Sequence, residues 1–466
     1  MKYEEQQKDG QKDRARADRM GTEPEGRLLA SMAWPAILSM TINALYNIVD
    51  SIFVARISQE ALTAVSFVMP VQFLMIAMTV GSGVGVNSVI SRRLGARQYD
   101  DANKAASMSV RIGLFNYLIF LLIGLFLSEP FMRHYTDDPV IYGHGVTYMR
   151  LVLCLALFSS VEVILQKVLQ SMGNMKAPMI CSVTGCLINV VFDPILIFGL
   201  FGFPKLGVAG AAIATVFGQF VAFLLAIFFV SRQKFLRISV IGFRMDWNTI
   251  KDIYAVSLPS IFMQAIGSFM LIGYNMIIAA EPVAVAVLGV YQKLQTFVFM
   301  PVIGLNQGAL PIIGYNYGAG NRSRVMRTYK LSLIASFTVM TIGFILFRFG
   351  AEAFLRMFNA DEAMLMLGIP ALRRISICFF PAAYGVITSS LFQATGHAHY
   401  SFFSSLIRQL VGILPLAFLL YRIGGVELSW YSFSLAEILG TAYLISAFVR
   451  LYNNKLRHLG EPGAAE

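Results

Sequence analysis

The chain of 466 residues is 57% hydrophobic and only 14% charged, with a mean hydropathy of +0.66. Soluble globular chains carry about 45–50% apolar and about 25% charged residues, and one bilayer span needs about 20 mostly apolar residues. The composition therefore excludes a soluble enzyme or nucleic-acid-binding protein and supplies enough apolar sequence for about a dozen membrane helices; the net charge of +11 belongs to the loops between them.

An all-α polytopic membrane protein is expected. The first 27 residues form a polar, mixed-charge tail, and the apolar run that follows is too long for the apolar region of a cleavable signal. Apolar runs then predict twelve transmembrane helices near 28–55, 61–90, 106–128, 145–171, 177–200, 208–230, 250–279, 283–313, 331–348, 367–395, 400–420 and 428–449. With the N-terminus in the cytoplasm, the inner segments hold 24 Lys and Arg and the outer loops 6. Cytoplasmic loops of membrane proteins are enriched in these residues, so both termini are assigned to the cytoplasm. The division is a tail at 1–27, a lobe at 28–230, a basic linker at 231–248, a second lobe at 249–450 and a tail at 451–466. Cys154, Cys181, Cys186 and Cys378 lie in apolar stretches without metal-ligand spacing and read as packing thiols.

The two halves repeat each other. Pro35 in LLASMAWPAILSM matches Pro259 in IYAVSLPSIFMQ, Gly95 in SRRLGARQYDDA matches Gly318 in YNYGAGNRSRVM, and Gly173 in VLQSMGNMKAP matches Gly396 in SLFQATGHAHY, at offsets of 224, 223 and 223. Six helices per half and conserved order imply duplication with parallel topology, a design found in transporters whose two bundles rock around a central site.

Several segments carry a more specific likeness. NALYNIVDSIFVARIS, ISRRLGARQYDDANKA, LINVVFDPILIFGLFGFPKLGVAGAAIATVFGQ and ALPIIGYNYGAGNRSRV resemble the multidrug and toxic compound extrusion (MATE) family, in particular its bacterial multidrug exporters, over about residues 28–450. The resemblance implies a two-lobed, monomeric, cation-coupled antiporter of a prokaryotic cytoplasmic membrane, expelling bulky, often cationic or aromatic compounds. A related architecture, the flippase of a lipid-linked precursor, is the alternative; it calls for a strongly basic central cavity. A membrane-embedded transferase would need a His/Asp or metal constellation near one interface, and none is evident. No nucleotide-binding or zinc-protease motif occurs in a credible context, and no cofactor is expected beyond a coupling Na+ or H+.

Carboxylates at mid-membrane cost about 2.5–3.5 kcal/mol each, so each needs an explanation. Four lie well inside predicted spans: Asp50, Glu162, Asp193 and Glu437. Asp50 ends a stripe with Asn43 and Asn47 on helix one; Asp193 and Asn189 share a face of helix five, where Pro194 frees the carbonyl of Val190. Carboxylates, an amide and a freed carbonyl suit a hard monovalent cation such as Na+, and equally a proton. The resemblance assigns a cation site to Asp50, Asn189 and Asp193, with Thr215 as a further ligand. Pro35 and Pro194 are the expected hinges. Glu162, Gln166 and Gln170 form a polar stripe on helix four; together with Asn43, Asn47, Tyr291 and Lys293 they are assigned to the substrate cavity, with Arg150 or Lys167 as alternative partners for Glu162. Some family members carry acidic residues in helices seven and ten. SLPSIFMQAIGSFM and SICFFPAAYGVITSSLFQ have none here, so coupling is expected to run through the N-terminal lobe alone. Glu437 has no partner evident from sequence.

Overall fold

The computed structural model describes residues 18–461 except 234, 235, 237, 239–244 and 359. Most of the expected N-terminal tail, the centre of the basic linker and the last five residues lie outside the described residues. All regular structure among the described residues is helical.

The spans are α1 (Glu25–Val54), α2 (Gln59–Gly95), α3 (Tyr99–Tyr135), α4 (Pro139–Cys154 and Leu157–Ser171), α5 (Lys176–Phe198), α6 (Val208–Ser231), α7 (Trp247–Ile278), α8 (Pro282–Gly318), α9 (Arg322–Phe349), α10 (Glu362–Ala394), α11 (Ala398–Ser429) and α12 (Tyr431–Leu456). Eleven are long and apolar enough to cross a membrane singly; the twelfth, α4, qualifies as one span bent by 42° between its halves. Its repeat partner α10 is interrupted at the corresponding place by a 3-10 turn, Ser376–Cys378. Starts follow local chemistry: Ser58 accepts a hydrogen bond from the Ala61 amide, Asp246 caps α7, Asn321 caps α9 and Asp361 caps α10.

Several departures from the expected bounds fall where apolarity and helicity part company. Helices α2 and α8 run five residues beyond the expected ends, because ISRRLG and PIIGYNYG are polar or small but contain nothing that stops a helix before the closing turn. Those turns are themselves repeat-related. Arg97 takes φ 59° after α2 and Gly320 takes φ 71° after α8, an offset of 223. The landmark glycines Gly173 and Gly396 likewise share positive φ, 77° and 85°. Helix α11 extends to Ser429 rather than 420, broken near its end where Gly424 and Gly425 leave helical geometry.

The two six-helix lobes meet tightly at one end, where α1 and α7 begin and α2 and α8 finish. A Cβ on Gly81 of α2 would stand 2.7 Å from the Ile261 amide nitrogen of α7, and one on Gly304 of α8 would stand 2.6 Å from the Ile37 Cα of α1. Gly85 and Gly308 repeat the arrangement one turn on, against Ser257 and Ala33. Gly95 and Gly318 pack against the backbone of Tyr315 and Arg92, so α2 and α8 cross almost backbone to backbone. Small residues let membrane helices approach this closely. Hydrogen bonds reinforce the same end: Ser88 donates to the Gln393 carbonyl (2.6 Å), Ser257 to the Ser82 carbonyl (3.1 Å), and Arg93 to Thr249 and Asp252 (2.9 Å each). Towards the opposite end of these helices Met69, Phe73, Phe269 and Met276 are exposed.

Candidate cation and substrate sites

Helix α5 carries Asn189 and Asp193 one turn apart, both buried. Neither oxygen of Asp193 finds a donor, and neither does the Asn189 side-chain oxygen. The Asn189 amide is held by its other end, its nitrogen donating to the Thr215 hydroxyl of α6 at 3.1 Å. Asp50 of α1 faces Asp193 within interaction range. Two carboxylates and an amide oxygen thus converge with no protein hydrogen to satisfy three buried acceptors. Buried acceptors are almost always paired, and what suits these is a cation or a proton. A coupling Na+ fits this donor set, all hard oxygen. Among the described residues no group of three or more His, Cys, Asp and Glu could hold a metal ion, so the site is a pair of acids plus an amide.

The structure thus brings together Asp50, Asn189, Asp193 and Thr215, with Thr215 orienting the amide. The rest of the helix-one stripe divides. Asn43 accepts from the Cys186 thiol of α5 at 3.3 Å, whereas Asn47 is exposed and donates back to the Asn43 carbonyl of its own helix. Two residues that the sequence reading missed flank the acids: Tyr46, one turn before Asp50, and the buried Tyr148 of α4, which accepts from Gln72 at 3.3 Å. Tyr46 was findable from its spacing to Asp50; Tyr148 carried no such signal.

On α4, Glu162 accepts from Gln166, which also bonds Ser182 of α5 at 3.1 Å. Neither basic partner considered for Glu162 takes that role. Arg150 pairs with Glu129 at 2.6 Å, and the Lys167 ammonium donates to the amide oxygens of Gln170 and Gln307, 3.0 Å each. Gln307 belongs to α8, so this bond crosses between lobes.

Level with the glycine contacts lies an interlobe cavity of about 290 Å³, lined by α2 and α4 on one side and by α7, α8 and α10–α12 on the other. Gln170 reaches it, but Glu162 and Gln166 do not line it. Two further cavity assignments change. Tyr291 is fully buried in the C-terminal lobe, edge-on to Phe347, because the phenol lies inside that lobe's aromatic core. Lys293 is exposed, its ammonium 5.9 Å from the Phe358 ring centre, at the far end of α8 from the cavity. Glu437 does reach the cavity and has a partner, Arg408 of α11, at 3.0 Å. The two prolines expected as hinges sit apart: Pro35 lies between Ala33 and Ile37, inside the glycine contact, and Pro194 directly follows Asp193.

A duplicated twelve-helix bundle with lobes zipped at one end, a cleft between them and a buried, unsatisfied acid beside a second one in one lobe defines a multi-pass membrane transporter. The MatE family profile matches twice, over residues 35–195 and 259–419, each match starting at a landmark proline, and the chain belongs to that family. Among curated relatives it is 26% identical to an FAD transporter of Shewanella oneidensis, over 87% of this chain and 90% of that one. It is 25% identical to the multidrug export protein MepA of Staphylococcus haemolyticus, over 91% and 92%, and 24% identical to a probable multidrug resistance protein NorM of Thermotoga maritima, over 84% and 85%. Among solved structures, an outward-facing multidrug resistance MATE transporter superposes with a TM-score of 0.87 at 24% identity, covering 94% of this chain and 98% of that one.

Proposed function

We propose that the chain is a cation-coupled antiporter exporting bulky, often cationic or aromatic compounds across a prokaryotic cytoplasmic membrane, with both termini cytoplasmic and each chain working alone. The observation that carries the coupling is the set of three donorless oxygens on Asp193 and Asn189 facing Asp50. In that orientation the zipped end is cytoplasmic and the cleft opens outward. Na+ or H+ entering from outside loads the N-terminal lobe, neutralises the acids and lets α1 or α5 bend at Pro35 or Pro194, weakening the hold on substrate. Thermodynamic linkage requires that each ligand lower the affinity for the other. The flippase alternative has less support, since the central cavity sets only Lys167 and Arg408 against Glu437.

The test is transport of a zwitterionic rhodamine by purified protein in liposomes under separate Na+ and pH gradients. Wild type is expected to move dye under one of them, and Asp193→Asn to lose at least nine-tenths of that movement at equal protein level. Undiminished gradient-driven transport by the variant would sink the coupling assignment.

A further inference from the structure

The proposed export function leaves the polarity of the central cavity unexplained. Its walls hold two cationic side chains, Lys167 from the N-terminal lobe and Arg408 from the C-terminal lobe, and one carboxylate, Glu437. The carboxylate engages only one guanidinium nitrogen, Nη1 of Arg408, while the buried Nε finds no acceptor. The Lys167 ammonium has only the amide oxygens of Gln170 and Gln307. Most of the remaining polar wall is neutral amide and hydroxyl, including Gln264, Asn306, Gln393 and Gln409. A buried cation without a counter-charge is expensive in a membrane protein, and a guanidinium with a free N–H is a ready donor for a planar or tetrahedral anion.

Local backbone supports a built site. Arg408 lies in a π-helical stretch of α11, Ile407–Ile413, a feature often found at functional positions. Its repeat counterpart is Gly185, that of Lys167 is Ser390 and that of Glu437 is Ala214, so none of the three charges is inherited from the duplication. Gln170 and Gln393, by contrast, are counterparts and both line the cavity. That pair of amides is shared by the two halves, and the three charges stand outside it.

We infer that this cavity binds an acidic group of the exported compound, a carboxylate or phosphate attached to an aromatic body, between Lys167 and Arg408. This inference rests on the export reading and assigns its substrate class: organic acids, with or without a cationic centre. The acid would take the Lys167 ammonium from Gln307, releasing a hydrogen bond that ties α4 to α8, and the Arg408 guanidinium would complete its shell.

The experiment is equilibrium binding to purified full-length protein, by calorimetry, of three probes on one ring: 1-naphthoate, 1-naphthyl phosphate and 1-naphthylmethylammonium. At least one anion is expected to bind ten or more times tighter than the ammonium, and the stronger of the two anions names the acid. Lys167→Gln and Arg408→Gln should each weaken that anion at least tenfold while sparing the ammonium, and Lys167→Arg should restore it where Lys167→Gln does not. Equal binding of all three probes, tighter binding of the ammonium, or anion affinity unchanged in both Gln variants would overturn the proposal. So would competition of the anions by phosphatidylglycerol in nanodiscs, which would give the site to a lipid headgroup. No gradient is present, so failure here is separate from failure of the coupling assignment, which Asp193→Asn tests in liposomes.

Discussion

The two lobes arose from one plan and now differ most where they are charged. In the N-terminal lobe, acids lie inside the bundle without basic partners: the half-buried Asp50 faces the buried Asp193, and the buried Glu162 is held by an amide. In the C-terminal lobe the buried acid Glu437 is balanced by Arg408. An unbalanced pair of acids can change its occupancy with the cation supply, whereas a balanced ion pair holds its charge and shapes a cavity. Duplication supplied two frames of the same geometry, and one frame now carries facing acids and the other an ion pair.

The ion pair offers the strongest way to break this comparison. Glu437→Ala leaves the half-buried Arg408 guanidinium unpaired, a situation that costs about 3 kcal/mol, and thermal unfolding in detergent should show a correspondingly large loss. The conservative Asp193→Asn, which strips no basic side chain of its partner, should leave unfolding temperature in coupling-ion-free buffer nearly unchanged. A similar large loss in both would erase the distinction between a fixed and a responsive lobe. The glycine contacts probe symmetry instead. Gly81→Leu and Gly304→Leu each force a side chain onto a facing helix backbone, an overpacking that costs about 1–3 kcal/mol, and should destabilise the zipped form to the same degree. A cysteine placed in the interlobe cavity should then become accessible from the zipped end in both.

A smaller contrast is acid sensitivity. His397 sits in the turn between α10 and α11, where burial, then the neighbouring His399, holds its pKa down to about 4. The folded form keeps this ring neutral while the unfolded chain protonates it near pH 6.5, so its contribution is complete above that pH and is lost as pH falls towards 4. Discounted for partial exposure, that is roughly 1–2 kcal/mol. The N-terminal counterpart is Asn174, which does not titrate. His397→Asn should flatten the stability profile between pH 7 and 5. The smallest effect concerns the left-handed turns. Arg97→Gly should gain about 1 kcal/mol by relieving a conformation that L residues disfavour, and Gly320→Ala should lose a similar amount.

Most of the helical plan was legible because apolarity marks spans and the landmark prolines and glycines mark the repeat. The nearness of Asn189 to Asp193 was legible because i, i+4 spacing puts them on one face of a single helix, whereas bringing Asp50 of α1 and Thr215 of α6 to them rested on the family resemblance. What escaped depended on contacts between distant helices. Arg408 stands in plain view in SFFSSLIRQLVGIL, yet nothing local to that segment ties it to Glu437, 29 residues on. Tyr291 looked like a cavity residue because it is polar, but a phenol is also a large aromatic body, and the lobe's core claimed it. The same ambiguity does not arise for Gln170, whose side chain is all amide and sought the polar cleft.

The glycine contacts also speak of ancestry. The groove at Gly81 and Gly85 receives the ridge at Ile261 and Ser257, and the groove at Gly304 and Gly308 receives the ridge at Ile37 and Ala33. Each half is thus donor and acceptor of the same fit, the reciprocity of a two-fold homodimer interface. A single six-helix ancestor could have paired with a second copy of itself through this surface before gene fusion. On that account the closing seam predates the covalent linker, and the linker's role was to free the two copies to diverge.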